Sequence, residues 1–94
     1  MNEQRFDSVW DALENSPAEA ANMKARSSLM LAIRDVVEGW QLTQAEAASR
    51  LGVNQPRLND LLRGRIDKFS LDALMILATG AGLTVEWRVG KPAA

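Results

Sequence analysis

The chain has 94 residues and a net charge of −1, which fits one small domain. It contains no cysteine and no histidine, so disulfides, thiolate nucleophiles and the commonest general bases and metal ligands are excluded. No run of about 18 apolar residues and no secretion signal occur, so we expect a cytoplasmic protein with no membrane segment. A Gly-rich phosphate loop and paired carboxylates are also missing, so we expect neither an enzyme nor a cofactor.

Charge is distributed unevenly along the sequence. Residues 1–23 carry five acids and one base, a net of −4, whereas residues 50–68 carry five bases and two acids, a net of +3. A local basic face attracts phosphates whatever the charge of the whole chain. An unevenly charged solvated surface explains the pattern equally well, so charge alone does not identify a nucleic-acid binder.

The acidic N-terminal segment predicts a short amphipathic helix over residues 5–14. Its apolar side chains have helical spacing and are Phe6, Val9, Trp10 and Leu13. We favour docking of this helix on its own domain, because a short helix needs packing to be stable. The alternative is a surface for a basic partner protein, whose charge would complement the segment.

A longer helix is predicted over residues 17–38. Ser16 supplies the N-cap, and Gly39 is expected to stop the helix. Trp40 and Leu42 follow in the link to the next element. We expect both to pack into the core rather than to contact a ligand.

Two short helices joined by a tight turn are predicted within residues 43–64. Thr43 and Asn54 have the side chains of N-caps, and Gly52 and Gly64 mark the two helix ends. This arrangement of caps and glycines predicts a helix-turn-helix unit.

The apolar spacing in this unit has a steric logic. Ala48 is small where the two helices cross, and Gly52 can take the left-handed conformation that turns the chain. Val53 and Leu58 then fill the wedge between the helices. The opposite face of the second helix is polar, so this helix can enter the major groove of DNA.

The C-terminal third predicts a helix and a strand. Residues 65–69 read as a loop, and Ser70 caps a last helix that Gly80 breaks. Residues 83–89 then alternate apolar and polar side chains with period two, which predicts a β-strand.

The predicted strand lacks a partner within one chain. We favour antiparallel pairing with a second copy across a two-fold axis. Addition to the sheet of a partner protein and an extended tail that covers its own helices are the two alternatives. The predicted dimer contacts are made by the side chains of Leu83, Val85, Trp87 and Val89.

The helix-turn-helix positions resemble the Xre family of Cro/C1-type repressors. The matching residues are Gln44, Ala48, Gly52, Val53, Leu58 and Gly64. The run from Leu51 to Leu74 is similar to the HigA-like antitoxin branch. The resemblance implies an all-α fold, a compact five-helix bundle of the lambda-repressor-like DNA-binding type. The strand of residues 83–89 adds a dimer contact to this expected fold.

The resemblance also implies which residues contact DNA. Gln44 matches the family position that touches a backbone phosphate, and Gln55 matches the first base-reading position. Arg57 and Asn59 are expected to read bases or grip phosphates. The remaining expected DNA contacts are Asn54, Pro56, Arg63, Arg65 and Lys68.

Two residues on the second helix depart from a typical reading face. Pro56 offers only an apolar surface, which suits a thymine methyl group. Asp60 can accept from cytosine N4, or it can pair with Arg57 or Arg63 on its own helix. We favour the pair, because helical neighbours three residues apart meet without DNA.

The sequence therefore predicts a sequence-specific transcriptional regulator. The resemblance implies a homodimer that reads a near-palindromic operator, represses its own operon and is the antitoxin of a RelE- or HigB-type toxin. The alternative is a protein-interaction module that has the helix-turn-helix shape without reading DNA.

Overall fold

The computed structural model describes residues 16–91 of the chain. This part contains four α-helices and one short 3-10 turn. In chain order they are α1 (Pro17–Trp40), α2 (Gln44–Leu51), α3 (Gln55–Leu62), the 3-10 turn (Ile66–Lys68) and α4 (Leu71–Gly80).

Helix α1 begins as predicted and ends later than predicted. Its first turn is capped by Ser16, whose Oγ accepts from the Glu19 N–H at 3.1 Å. The helix passes through Gly39 and ends at Trp40, because Gln41 takes the left-handed conformation at φ +53°. Glycine permits a helix end but does not impose one, so Gly39 stays helical.

The core lies where α1 crosses the other helices. Helix α1 packs most extensively against α4, and α2 packs against α3. The largest fully buried side chains come from α1, α3, α4 and the residue after the 3-10 turn, and they are Ile33, Leu58, Leu61, Leu74 and Phe69. Trp40 packs at the edge of this core as expected. Leu42 is 37% exposed, so the expectation that it would be a core residue is wrong.

The predicted five-helix bundle with a strand is wrong as a description of residues 16–91. Four α-helices are present there and the fold is all-α. The additional helix predicted over residues 5–14 lies outside the described residues.

Residues 83–89 do not form a β-strand in the structure. A strand needs an extended neighbour for its backbone hydrogen bonds, and no other strand occurs among residues 16–91. Leu83 and Val85 are half-buried against the helices instead, while Trp87 and Val89 are exposed. Only the first two apolar residues of the alternation therefore pack on the bundle, and the predicted dimerisation strand is not part of this fold.

Within residues 16–91, no helix is both long and apolar enough to cross a membrane.

Candidate nucleic-acid interface

The turn between α2 and α3 is built on Gly52. This glycine has φ +81°, and its N–H donates to the Ala48 carbonyl oxygen at 2.9 Å. The Val53 N–H donates to the same oxygen, also at 2.9 Å. Ala48 is 3% exposed, so a small side chain lies under the turn. The left-handed glycine and the small alanine let the two helices meet closely, as the spacing predicted.

A complete capping box fixes the start of α2. The Glu46 N–H donates to Thr43 Oγ1 at 3.2 Å, and the Thr43 N–H donates to Glu46 Oε1 at 3.1 Å. The bond from the Thr43 backbone is the main reason that the pKa of Glu46 is lowered. Gln44 is the first residue of this helix and is exposed, at an end where the helix dipole favours an anion.

Helix α3 has one buried face and one polar face. Asn54 caps it, because its Oδ1 accepts from the Arg57 N–H at 2.8 Å. Leu58 and Leu61 have no exposed surface, whereas Gln55 and Pro56 in the first turn are exposed. The N-terminal turn of α3 is therefore available to a ligand while its other face anchors it in the core.

The predicted DNA-contacting residues lie on α2, on α3 with its N-cap Asn54, and in the segment that follows α3. Most have exposed side chains, namely Gln44, Asn54, Gln55, Pro56, Arg63, Arg65 and Lys68. Arg57 and Asn59 are half-buried. The side-chain oxygen of Asn54 is occupied by its capping bond, so this residue shapes the helix start.

Arg57 contacts its own protein rather than solvent alone. Its Nη1 donates to the Lys68 carbonyl oxygen at 2.7 Å. Its guanidinium also lies over the ring of Phe69, with Cζ 4.0 Å from the ring centroid. These contacts were not predictable from local spacing, since Arg57 lies 11 residues before Lys68.

The predicted partners of Asp60 are wrong. Its Oδ1 lies 3.8 Å from Nε of Arg65, which follows α3, and no ion pair with Arg57 or Arg63 occurs among the described residues. Gly64, at φ +71°, turns the chain back after α3, so Arg65 returns to the side of Asp60.

Two further arginines near the interface have partners that sequence reasoning missed. Arg50 in α2 lies over the Trp40 ring at 4.3 Å. Arg26 in α1 donates to the carbonyl oxygen of Ile66 at 3.1 Å. Arg26 also bonds to Asn22 and Glu19 on its own helix. These contacts could have been predicted, because residues three or four apart lie on one helix face. The contact with Ile66 could not.

This geometry can serve recognition of duplex DNA. A helix with a solvent-exposed first turn, braced by a second short helix across a sharp turn, is the arrangement that enters a major groove. Exposed arginine and lysine side chains flank the same helix and can contact phosphates. The fold and the site define a helix-turn-helix DNA-binding domain.

Comparison with known proteins agrees with this class. A helix-turn-helix domain family model matches residues 12–90. A solved structure of a protein assigned to the XRE family of transcriptional regulators is 32% identical, with a TM-score of 0.71. The alignment covers 79% of this chain and 83% of that one. No curated protein matches the sequence. The chain belongs to the XRE family of helix-turn-helix transcriptional regulators.

Proposed function

We propose that this DNA-binding regulator represses its own operon by reading a near-palindromic operator. The supporting observation is the placement of two exposed glutamines, each the first residue of a motif helix. Gln55 starts α3 and suits base edges, whereas Gln44 starts α2 and suits a phosphate. In this proposal, Gln55 reads base edges and Gln44 sets the register of the protein on the duplex.

The proposal includes a homodimer. One α3 covers only a few base pairs of one groove, and two copies related by a two-fold axis read two half-sites about one turn apart. Trp87 is 55% exposed and Val89 95% exposed, so both are free to contact a second copy. This contact is between side chains and does not require pairing of two strands.

The proposal also includes an antitoxin role. It is supported by the similarity of residues 51–74 to the HigA-like branch, and the partner would be a RelE- or HigB-type toxin. Such a partner is basic, and an acidic N-terminal segment with a net charge of −4 over residues 1–23 complements it.

DNA reading is tested with a duplex from the protein's own promoter and a scrambled duplex of equal length. We expect a strong preference for the promoter and a steep loss of affinity with salt, measured by fluorescence anisotropy over a salt series. Equal weak binding to both duplexes would refute the repressor and favour the protein-interaction module.

Two matched glutamine variants separate base reading from phosphate contact. Gln55→Ala is expected to cost about 1–3 kcal/mol on the promoter and nothing on the scrambled duplex. Gln44→Ala is expected to weaken both by the same factor, because phosphates carry no sequence information. Both side chains are exposed, so neither change should unfold the domain.

The dimer and the toxin are tested separately. Light scattering of the purified protein should give the mass of two chains, and Trp87→Ala should shift the mass towards that of one chain.

Co-expression with the product of an adjacent small basic reading frame should give a stable complex of defined stoichiometry. A monomer would refute the dimer, and the lack of any complex would refute the antitoxin role.

A further inference from the structure

The segment after α3 is held by two arginines from two different helices. We call residues 66–69 the turn segment. Arg26 Nη1 donates to the Ile66 carbonyl oxygen at 3.1 Å and to that of Phe69 at 3.5 Å. Arg57 Nη1 donates to the Lys68 carbonyl oxygen at 2.7 Å. Three of the four carbonyl groups in this segment therefore accept from arginine.

Arg26 is itself fixed from α1. Its Nε donates to Asn22 Oδ1 at 2.7 Å, and its Nη2 lies 3.2 Å from Glu19 Oε1. Only 11% of its side chain is exposed. A planar guanidinium with partners on both edges has little rotational freedom. Arg26 therefore holds the turn segment in a fixed position relative to α1.

Arg57 is fixed from α3. Its backbone N–H is taken by the Asn54 cap, and its guanidinium covers the face of Phe69, which is 2% exposed. Stacking and a charge-assisted hydrogen bond act on the same planar group. The side chain is therefore committed to the turn segment, although its place on α3 is that of a base reader.

We propose that Arg26 and Arg57 are positioning residues, which clamp the turn segment in a fixed place beside α3. The clamp acts on the backbone of Lys68 itself, so the Cα from which this lysine side chain extends is held in a fixed place. A backbone that is already ordered in the free protein lowers the entropy cost of the phosphate contact expected from Lys68. This inference rests on the proposed DNA reading and assigns Arg57 a role different from direct contact.

The test compares the wild-type protein with Arg57→Lys. This change keeps the positive charge but removes the planar guanidinium that stacks on Phe69 and carries several donors. Hydrogen exchange of the free protein reports on the turn segment, whose Lys68 and Phe69 N–H groups donate to the carbonyl oxygens of Arg65 and Ile66. We expect these two amides to exchange at least about fivefold faster, the equivalent of one lost hydrogen bond. Arg63→Lys is the control, because Arg63 is exposed and its side chain has no hydrogen bond or ion pair among the described residues.

DNA binding is then measured for Arg57→Lys and for Lys68→Ala, whereas Arg63→Lys is a control for the exchange measurement alone. Arg57→Lys should weaken promoter and scrambled duplexes by the same factor, and it should add nothing to Lys68→Ala in a double variant. Wild-type exchange and affinity in Arg57→Lys would overturn the proposal, because charge alone would then suffice. A loss confined to the promoter would also overturn it and make Arg57 a base reader.

The two proposals fail in distinguishable ways. If the wild-type protein binds both duplexes equally weakly, the proposed DNA reading is refuted. The exchange rates are measured without DNA, so they still confirm or overturn the clamp. Thermal unfolding of Arg57→Lys checks that the fold is intact, and Arg26→Lys should reproduce the faster exchange from the other side of the turn segment.

Discussion

Asp60 and Arg65 are joined twice across the end of α3. Asp60 Oδ1 lies 3.8 Å from Arg65 Nε, and the Arg65 N–H donates to the Asp60 carbonyl oxygen at 3.0 Å. The ion pair is long and partly exposed, so it contributes little to stability. Its effect is electrostatic, because it places a negative charge beside an arginine that is expected to meet phosphate.

Asp60→Asn is therefore expected to tighten DNA binding. Removing the carboxylate frees Arg65 and lowers repulsion of the backbone, so affinity should rise about two- to fivefold at low salt. The rise should be equal for promoter and scrambled duplexes in an anisotropy titration. A loss on the promoter alone would show instead that Asp60 accepts from cytosine N4.

Alanine at Gly52 or at Gly64, the two glycines with positive φ that end α2 and follow α3, is expected to destabilise the domain. Gly52 has open space for a methyl group but φ +81°, so Gly52→Ala should cost about 1 kcal/mol of unfolding free energy from backbone strain. Gly64→Ala should cost more, because φ is +71° and the new Cβ would lie 3.3 Å from Nη1 of Arg34.

The matched control for both changes is Gly39→Ala. Gly39 is helical and has nothing within 4 Å of an added Cβ, so alanine there should stabilise by about 0.5–1 kcal/mol. Urea unfolding followed by circular dichroism measures all three. Equal effects at Gly39 and Gly52 would contradict the strain argument.

The capping box predicts a pH dependence of stability. The pKa of Glu46 is lowered from 4.5 in the folded protein, so its contribution is present above that value and is lost as pH falls through the folded pKa. Glu46→Gln removes the titrating group. The wild type should be more stable than Glu46→Gln at neutral pH, and the gap should close in acid as pH falls through the folded pKa of Glu46. A gap of constant size in urea unfolding at neutral and acid pH would rule out this coupling.

Burial predicts very different costs for two leucines of the same region. Leu58 has no exposed surface, and Leu58→Ala should lose about 2–5 kcal/mol of unfolding free energy. Leu42 is 37% exposed, and Leu42→Ala should lose less than about 1 kcal/mol. Comparable losses in thermal or urea unfolding would mean that the wedge between α2 and α3 does not depend on Leu58.

Local chemistry made the helix-turn-helix unit predictable from the sequence. The caps Thr43 and Asn54 accept from N–H groups three residues ahead. The left-handed Gly52 bonds to carbonyl groups three and four residues earlier. These interactions span only a few residues, so their spacing is visible in the sequence. The buried face of α3 was predictable for the same reason, because helical periodicity fixes which side chains share a face.

Features that depend on residues distant in the chain were set by the packing of the helices. The alternation in residues 83–89 does not distinguish an extended segment lying on helices from a paired strand, since a ladder needs a partner that only the fold supplies. The same limit applies to Arg57 and Asp60, whose partners meet them only after Gly64 has turned the chain. Local spacing was enough to specify the helix-turn-helix motif and the exposed polar face of α3. The fold alone determined where the arginine side chains around that face are anchored, because long flexible side chains take their partners from whatever the packing brings near.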